Sequence, residues 1–160
     1  MRNRISRNRR KKIEIKLRKA RIDDIEAINR IEQAQFSNPW KKHYFSAELF
    51  HDISYFYTAE DSGKILGYII FWLIEETIEL HNIAVHEDYT RRGIGSKMMD
   101  FLLEIAARKR VGEIFLEVRK SNRAAEKFYK KYRFEKIDCR KNYFNSPNED
   151  ALVYALYLKF

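Results

Sequence analysis

With 160 residues, 45% of them hydrophobic, the chain is long enough for one domain with a core and too short for two of ordinary size. A single cysteine, Cys139, excludes an internal disulfide, and no apolar run has the length of a membrane span or the form of a signal peptide, which points to the cytoplasm. Much of the net charge of +9 sits at the start, where residues 1–12 hold seven Lys and Arg and no acid. Residues 1–12 therefore read as a basic arm and residues 13–160 as a single domain. The arm has the charge to contact RNA, a ribosome or an anionic membrane surface, and reads equally as a solvated tail.

After the arm, Ile13, Ile15 and Leu17 alternate with polar residues, the period of a half-buried strand. Residues 23–36 carry Ile25, Ile28 and Ile31 near helical spacing, with Asp23 or Asp24 as N-cap, and the SNPW stretch ends that helix because the residue before proline leaves the helical region. A short helix follows over residues 42–52. YFYTAE, DSGK and ILGYIIFWLI then read as strand, turn and strand, with Gly63 in the turn. TIELHNIAV is a further strand. Residues 96–111 describe a helix with a broad apolar side ending near Gly112, then come strand EIFLEVR, helix NRAAEKFYKKY and two final strands. This order implies an α/β or α+β fold, a mixed sheet with helices on it.

Between TIELHNIAV and the helix after it, Arg91, Arg92, Gly93, Ile94 and Gly95 form a strand-to-helix turn. Backbone N–H groups at a helix start lack internal partners and suit a phosphate, although two glycines alone also describe an ordinary tight turn. The run NIAVHEDYTRRGIG, its amphipathic helix, and LEVRKSNRAAEKFYKKYRF together resemble the central motifs of the GNAT superfamily of N-acetyltransferases. Within it they are most similar to the RimI-type and archaeal Ard-type protein N-terminal acetyltransferases. The likeness runs from the first strand nearly to the last residue and includes FSNPW and KNYFNSPNEDALVYAL. Two positions depart from the usual pattern: Thr90 stands where the loop usually has Gln or Arg, and Phe144 where many relatives have a second tyrosine.

The resemblance implies acetyl-CoA as cosubstrate, its pyrophosphate on the turn from Arg91 to Ser96, and its acetyl and pantetheine groups against Asn82, Ile83, Ala84 and Val85. It also implies that Asn122, Ala125 and Tyr129 face the pantetheine, that Tyr129 is the acid for the leaving thiolate, and that Glu117 is the base. On residue chemistry alone, Tyr129 reads as a core aromatic, whereas Glu117 beside Phe115 reads as a carboxylate whose pKa apolar surroundings would raise, or as a glutamate paired to a cation. Glu79 and His81, on one side of the preceding strand, are alternative proton acceptors. By resemblance, Phe36, Asn38, Trp40, Tyr143 and Phe144 wall the acceptor site, although Phe36 and Trp40 read equally as a hydrophobic lid. The expected acceptor is the N-terminus of a protein or peptide, whose amine has a pKa of ~7.7–8.0 against ~10.4 for lysine, roughly 3.5 kcal/mol easier to deprotonate. Lysine or small-amine acceptors, and an RNA-bound module with a vestigial site, are the competing readings. The histidines and lone cysteine show no metal-ligand spacing, so no metal is expected.

Overall fold

The apolar alternations assemble into one mixed sheet of seven strands flanked by four helices in a computed structural model that describes residues 11–160. Strands β1 (Lys16–Lys19), β2 (Ser54–Asp61), β3 (Lys64–Ile74) and β4 (Thr77–Val85) pair antiparallel in sequence order. β5 (Glu113–Arg119) lies parallel to β4, and β7 (Glu149–Tyr157) inserts between β5 and the edge strand β6 (Glu135–Phe144). Helices α1 (Ile25–Gln35) and α2 (Lys42–Glu48) connect β1 to β2. α3 (Ile94–Arg108) makes the crossover that a parallel pair requires, and α4 (Arg123–Lys131) precedes β6.

The sheet has a core on each face. On one, Met98, Met99 and Leu102 of α3 and Tyr129 of α4 pack on Ile78, Leu80, Ile114, Leu116, Val118, Leu152 and Tyr154. Each fully buried side chain of this size contributes about 1.5–3 kcal/mol. On the other, Ile25, Ile28 and Ile31 of α1 and Phe45 of α2 cover Phe56, Tyr68, Ile70 and Ala84. That second helical layer covers β2, β3 and the end of β4, leaving β5, β7 and β6 open on the same face.

Several boundaries differ from the periodicity. The first ladder starts at Lys16 rather than Ile13, because Lys16 pairs with Glu60 and β2 ends one residue later. Ile13 and Ile15 still pack on the core without a partner strand. Asp24 does precede α1, but its carboxylate accepts the Arg21 N–H at 2.7 Å and pairs with Arg18 at 2.7 Å, so it closes a 3₁₀ turn over Ile22–Asp24. α2 ends at Glu48, and α3 spans Ile94–Arg108 rather than 96–111. The left-handed residue after α3 is Arg110, with φ 54°, and the Gly112 N–H instead bonds to the Glu76 carbonyl at 2.8 Å. Of the expected basic arm, only Lys11 and Lys12 fall within the described residues.

One irregularity shapes the centre of the molecule. Asn82 pairs with Ile70 and Leu80 with Phe71, so His81 is an extra residue on β4, a β-bulge. A bulge bends its strand, and β4 leaves β5 at the same place: their ladder runs only from Thr77↔Glu113 to Leu80↔Leu116. Beyond it, the last residues of both strands diverge and leave a gap. The bulge also reverses side-chain alternation. Ile78 and Leu80 face α3, whereas Ala84 faces α1 and Asn82 meets Glu32 of α1, placing Glu79, His81 and Asn82 on one face.

Candidate active site

The gap has backbone on one wall. The His86 N–H donates to the Leu66 carbonyl at 2.7 Å, and strand alternation then aims the N–H and C=O groups of Ile83 and Val85 away from β3, on the side of the gap. Asn82 and Ala84 have the opposite phase. Their backbones pair with β3, and the Asn82 amide donates to Glu32 Oε2 at 2.9 Å. Of the four β4 residues expected to meet a cofactor, Ile83 thus presents its main-chain N–H and C=O to the gap and Val85 its N–H, the Val85 carbonyl accepting from Gln35 Nε2 at 2.8 Å.

At the gap's α3 end, Arg91 and Gly93 take left-handed conformations, φ 56° and 82°, which turn the chain into the helix. Gly93 is the N-cap, and no side chain caps the helix. The first N–H groups of α3, on Ile94, Gly95 and Ser96, therefore keep the partial positive charge of an open helix start. These three belong to the first helical turn rather than to a preceding loop. A Cβ built on Gly95 lies 3.7 Å from Phe128 and 3.8 Å from Val85, at the entrance between β4 and α4, so the missing side chain keeps that entrance wide. The Thr90 hydroxyl donates to the Glu87 carbonyl at 3.3 Å, and Arg92 donates to the Lys11 carbonyl at 3.1 Å.

Across the gap, Asn122 is the N-cap of α4, its Oδ1 accepting the Ala125 N–H at 3.1 Å, while its NH₂ group is not used by that bond. Tyr129, two turns on, is buried between Phe128 and Phe134, with ring centroids 5.5 and 5.7 Å away. Burial pushes its phenol well above the ordinary value, so the hydroxyl stays protonated at neutral pH.

On the opposite face, the uncovered part of the sheet is a trough of about 640 Å³ lined by Glu79, His81, Phe115, Glu117, Asp138, Arg140, Tyr143 and Phe144 among others. Glu117 does not sit in the apolar surroundings expected of it. Arg140 Nη1 lies 2.6 Å from its Oε1, and the Tyr143 hydroxyl hydrogen-bonds to it, which with burial raises the Tyr143 phenol. His81 packs on Trp72 at 4.4 Å, with Nε2 3.5 Å from Glu79 Oε2. Burial lowers its pKa against the opposing pull of Glu79, Glu48 and Glu117, which makes the neutral imidazole the resting form.

The two expected acceptor loops meet, since Asn38 Nδ2 donates to the Asn145 carbonyl at 3.3 Å. Tyr143 and Phe144 line the trough. Phe36 and Trp40 instead pack against the α1–α2 core, as the lid reading has it. Residue reasoning overlooked Arg140, and set Arg119 or a lysine as the cation that could pair with Glu117, a place that Arg140 takes instead. Asp138 and Arg140 share one face of β6, a period-two signal, and Arg119 lies two residues from Glu117, donating to the carbonyls of Pro147 at 2.9 Å and Asn145 at 3.0 Å.

A sheet split between an uncapped helix start on one face and a carboxylate-lined trough on the other is the architecture of an acyl-CoA-dependent acyltransferase. The chain matches the Acetyltransferase (GNAT) family over residues 25–134, more than half its length, and belongs to that family. It is 31% identical over 135 residues to the [ribosomal protein bS18]-alanine N-acetyltransferase of Escherichia coli (strain K12), covering 83% of this chain and 90% of that one. The crystal structure of the ribosomal-protein-S18-alanine N-acetyltransferase from Escherichia coli superposes with a TM-score of 0.84 at 28% identity, covering 92% and 96% of the two chains. Ard1 from Thermoplasma volcanium, at 24% identity and a TM-score of 0.85 over 91% and 99%, shares the fold.

Proposed function

We propose that this protein moves the acetyl group of acetyl-CoA to the α-amino group of protein N-termini, with the N-terminal alanine of a ribosomal protein as the first substrate to test. The observation that carries this reading is the divergence of β4 and β5 after Leu80 and Leu116, which opens a passage between the α3–α4 side and the Glu117 trough. The relatives' names direct it to protein N-termini. No helix among the described residues is long and apolar enough to cross a membrane, and a cytoplasmic location fits ribosomal substrates.

The residues present fit the cosubstrate. Acetyl-CoA, when bound, supplies an acetyl group activated as a thioester. The N–H groups of Ile94, Gly95 and Ser96 hold its pyrophosphate, with Arg91 and Arg92 adding positive charge at the mouth. Ile83 and Val85 orient the pantetheine through the main-chain groups facing the gap, and an N–H there serves as oxyanion donor, a contribution of about 3 kcal/mol for one such group. Asn122 and Ala125 flank the same channel. From the trough side, Glu117 takes the proton of the incoming amine, held in place by Arg140 and Tyr143, with Glu79 and His81 as a second route through water. Tyr129 returns a proton to the leaving sulfur. The amine attacks directly, in a ternary complex.

The test is acetyl transfer, read by mass, to peptides with free N-termini beginning Ala, Ser, Met-Leu or Met-Glu, and to an N-blocked peptide with an internal lysine. Modification of the free N-termini alone is expected. Transfer to lysine alone would overturn the acceptor while leaving the family intact.

A further inference from the structure

Glu32 is a carboxylate where the helix calls for an apolar side chain. It stands four residues after Ile28 and seven after Ile25, on the stripe that α1 buries, and is 1% exposed. It also lies in the last turn of α1, the helix end that disfavours negative charge. No cation pairs with it among the described residues. Its partners are neutral donors: the Trp40 N–H on Oε1 at 2.9 Å, and on Oε2 the Asn82 amide at 2.9 Å together with the Tyr68 hydroxyl. An apolar side chain would serve the packing of α1 at this position, whereas the carboxylate gathers donors from three other segments, which points to those contacts as its role.

The three donors come from three segments. Trp40 belongs to the loop between α1 and α2, which also reaches the β6–β7 loop through Asn38. Tyr68 lies in β3. Asn82 is the first residue of β4 beyond the bulge, where the strand has lost β5 as a neighbour. One turn along α1, Gln35 Nε2 donates to the Val85 carbonyl at 2.8 Å, so α1 grips the diverging half of β4 at both ends.

Building on the N-terminal acetyltransferase reading, we propose that Glu32 is a positioning residue: through Trp40 and Asn82 it sets the acceptor loop against the diverging half of β4, and so governs peptide use. Its carboxylate does not touch the reacting atoms. The uncapped start of α3, which takes the pyrophosphate, is built without it, so acetyl-CoA binding should respond to its loss less than peptide binding does.

Three variants test this by steady-state kinetics with the peptide and acetyl-CoA varied in turn. Glu32→Met removes both acceptors, and Glu32→Asp keeps the charge while withdrawing it by one methylene from Trp40. Each is expected to raise the peptide KM about tenfold, the effect of losing one hydrogen bond of this kind, with a clearly smaller change in the acetyl-CoA KM. Glu32→Gln keeps an acceptor for the Trp40 N–H, and the Asn82 amide can reverse to meet it, so this variant should return the peptide KM towards wild type. If Glu32→Met does not fold, the comparison of Asp with Gln carries the test. An unchanged peptide KM in the Asp variant, an acetyl-CoA KM rising in step with it, or a Gln variant as impaired as Asp would overturn the proposal. Wild-type protein assayed alongside separates the failures: no transfer to any peptide overturns the proposed function and this inference with it, whereas normal transfer with indifferent variants overturns this inference alone.

Discussion

In the proposed mechanism Tyr129 meets two demands with one side chain. Its ring completes the core under α4, and the burial that this entails raises its phenol still further above neutral pH, so the proton that the proposed step draws on is in place. Tyr129→Phe preserves the ring, so we expect kcat to fall by about a hundredfold, within the usual range for loss of a general acid, while acetyl-CoA affinity measured by calorimetry stays at the wild-type value. Undiminished turnover would remove Tyr129 from the chemistry. His81 makes a different prediction. Burial holds its pKa below the ordinary 6.5, with Glu79, Glu48 and Glu117 opposing and His51 assisting. Below pH 6.5 the unfolded chain therefore binds a proton that the folded chain resists. Stability should fall as pH drops from 6.5 towards the folded value and be indifferent to this group well above 6.5. His81→Gln should flatten that part of the Tm-versus-pH curve; an unchanged slope would mean that other groups set it.

Among the elements, the contact between α3 and the β3–β4 pair leaves no space at Gly67. A Cβ there would stand 2.8 Å from the Ala84 carbonyl oxygen and 3.1 Å from Met98 Cε. The methionine end can move, but the carbonyl belongs to β4 and cannot shift without disturbing the strand that lines the gap. Gly67→Ala is expected to cost about 1–3 kcal/mol, the range for overpacking, read as a lower urea midpoint with an unchanged m-value. Wild-type stability in that variant would mean that β4 yields more readily than its pairing suggests. The bulge at His81 acts on the same strand. It bends β4 away from β5 and turns Asn82 towards Glu32, so a local irregularity produces both the opening and its anchoring.

For the whole molecule, charge is unevenly spread along the sequence. Residues 1–10 contain five arginines and no acid, whereas Glu79, Glu117 and Asp138 line the trough. A truncation removing residues 1–10 should leave acetyl transfer to short peptides intact and weaken binding to ribosomes or RNA. The slope of log K against log salt should become shallower by up to about 4, as expected if each lost arginine had neutralised one phosphate. Equal slopes for the full-length and truncated proteins would show that the arm makes no such contacts.

Local chemistry determined much of this protein. Alternation at Leu17, across YFYTAE and along EIFLEVR marked strands, the spacing of Ile25, Ile28 and Ile31 marked α1, and Gly93 marked the turn into α3, because each signal depends only on neighbours along the chain. The glycine turn and the run from Asn122 to Tyr129 were legible for the same reason, and they carried the family resemblance. What only the tertiary structure decided involves partners far apart in sequence. The bulge at His81 appears only when β4 is set against β3, and it reverses which side Asn82 and Ala84 face. Arg140 meets Glu117 across β7, whose register with both strands puts the two side chains on one face. Glu32 is visible in the sequence as a charge on an apolar stripe, but its meaning lies in Trp40, Tyr68 and Asn82, which folding alone brings to one point: a buried carboxylate is stable only where donors converge, and convergence is a property of the fold.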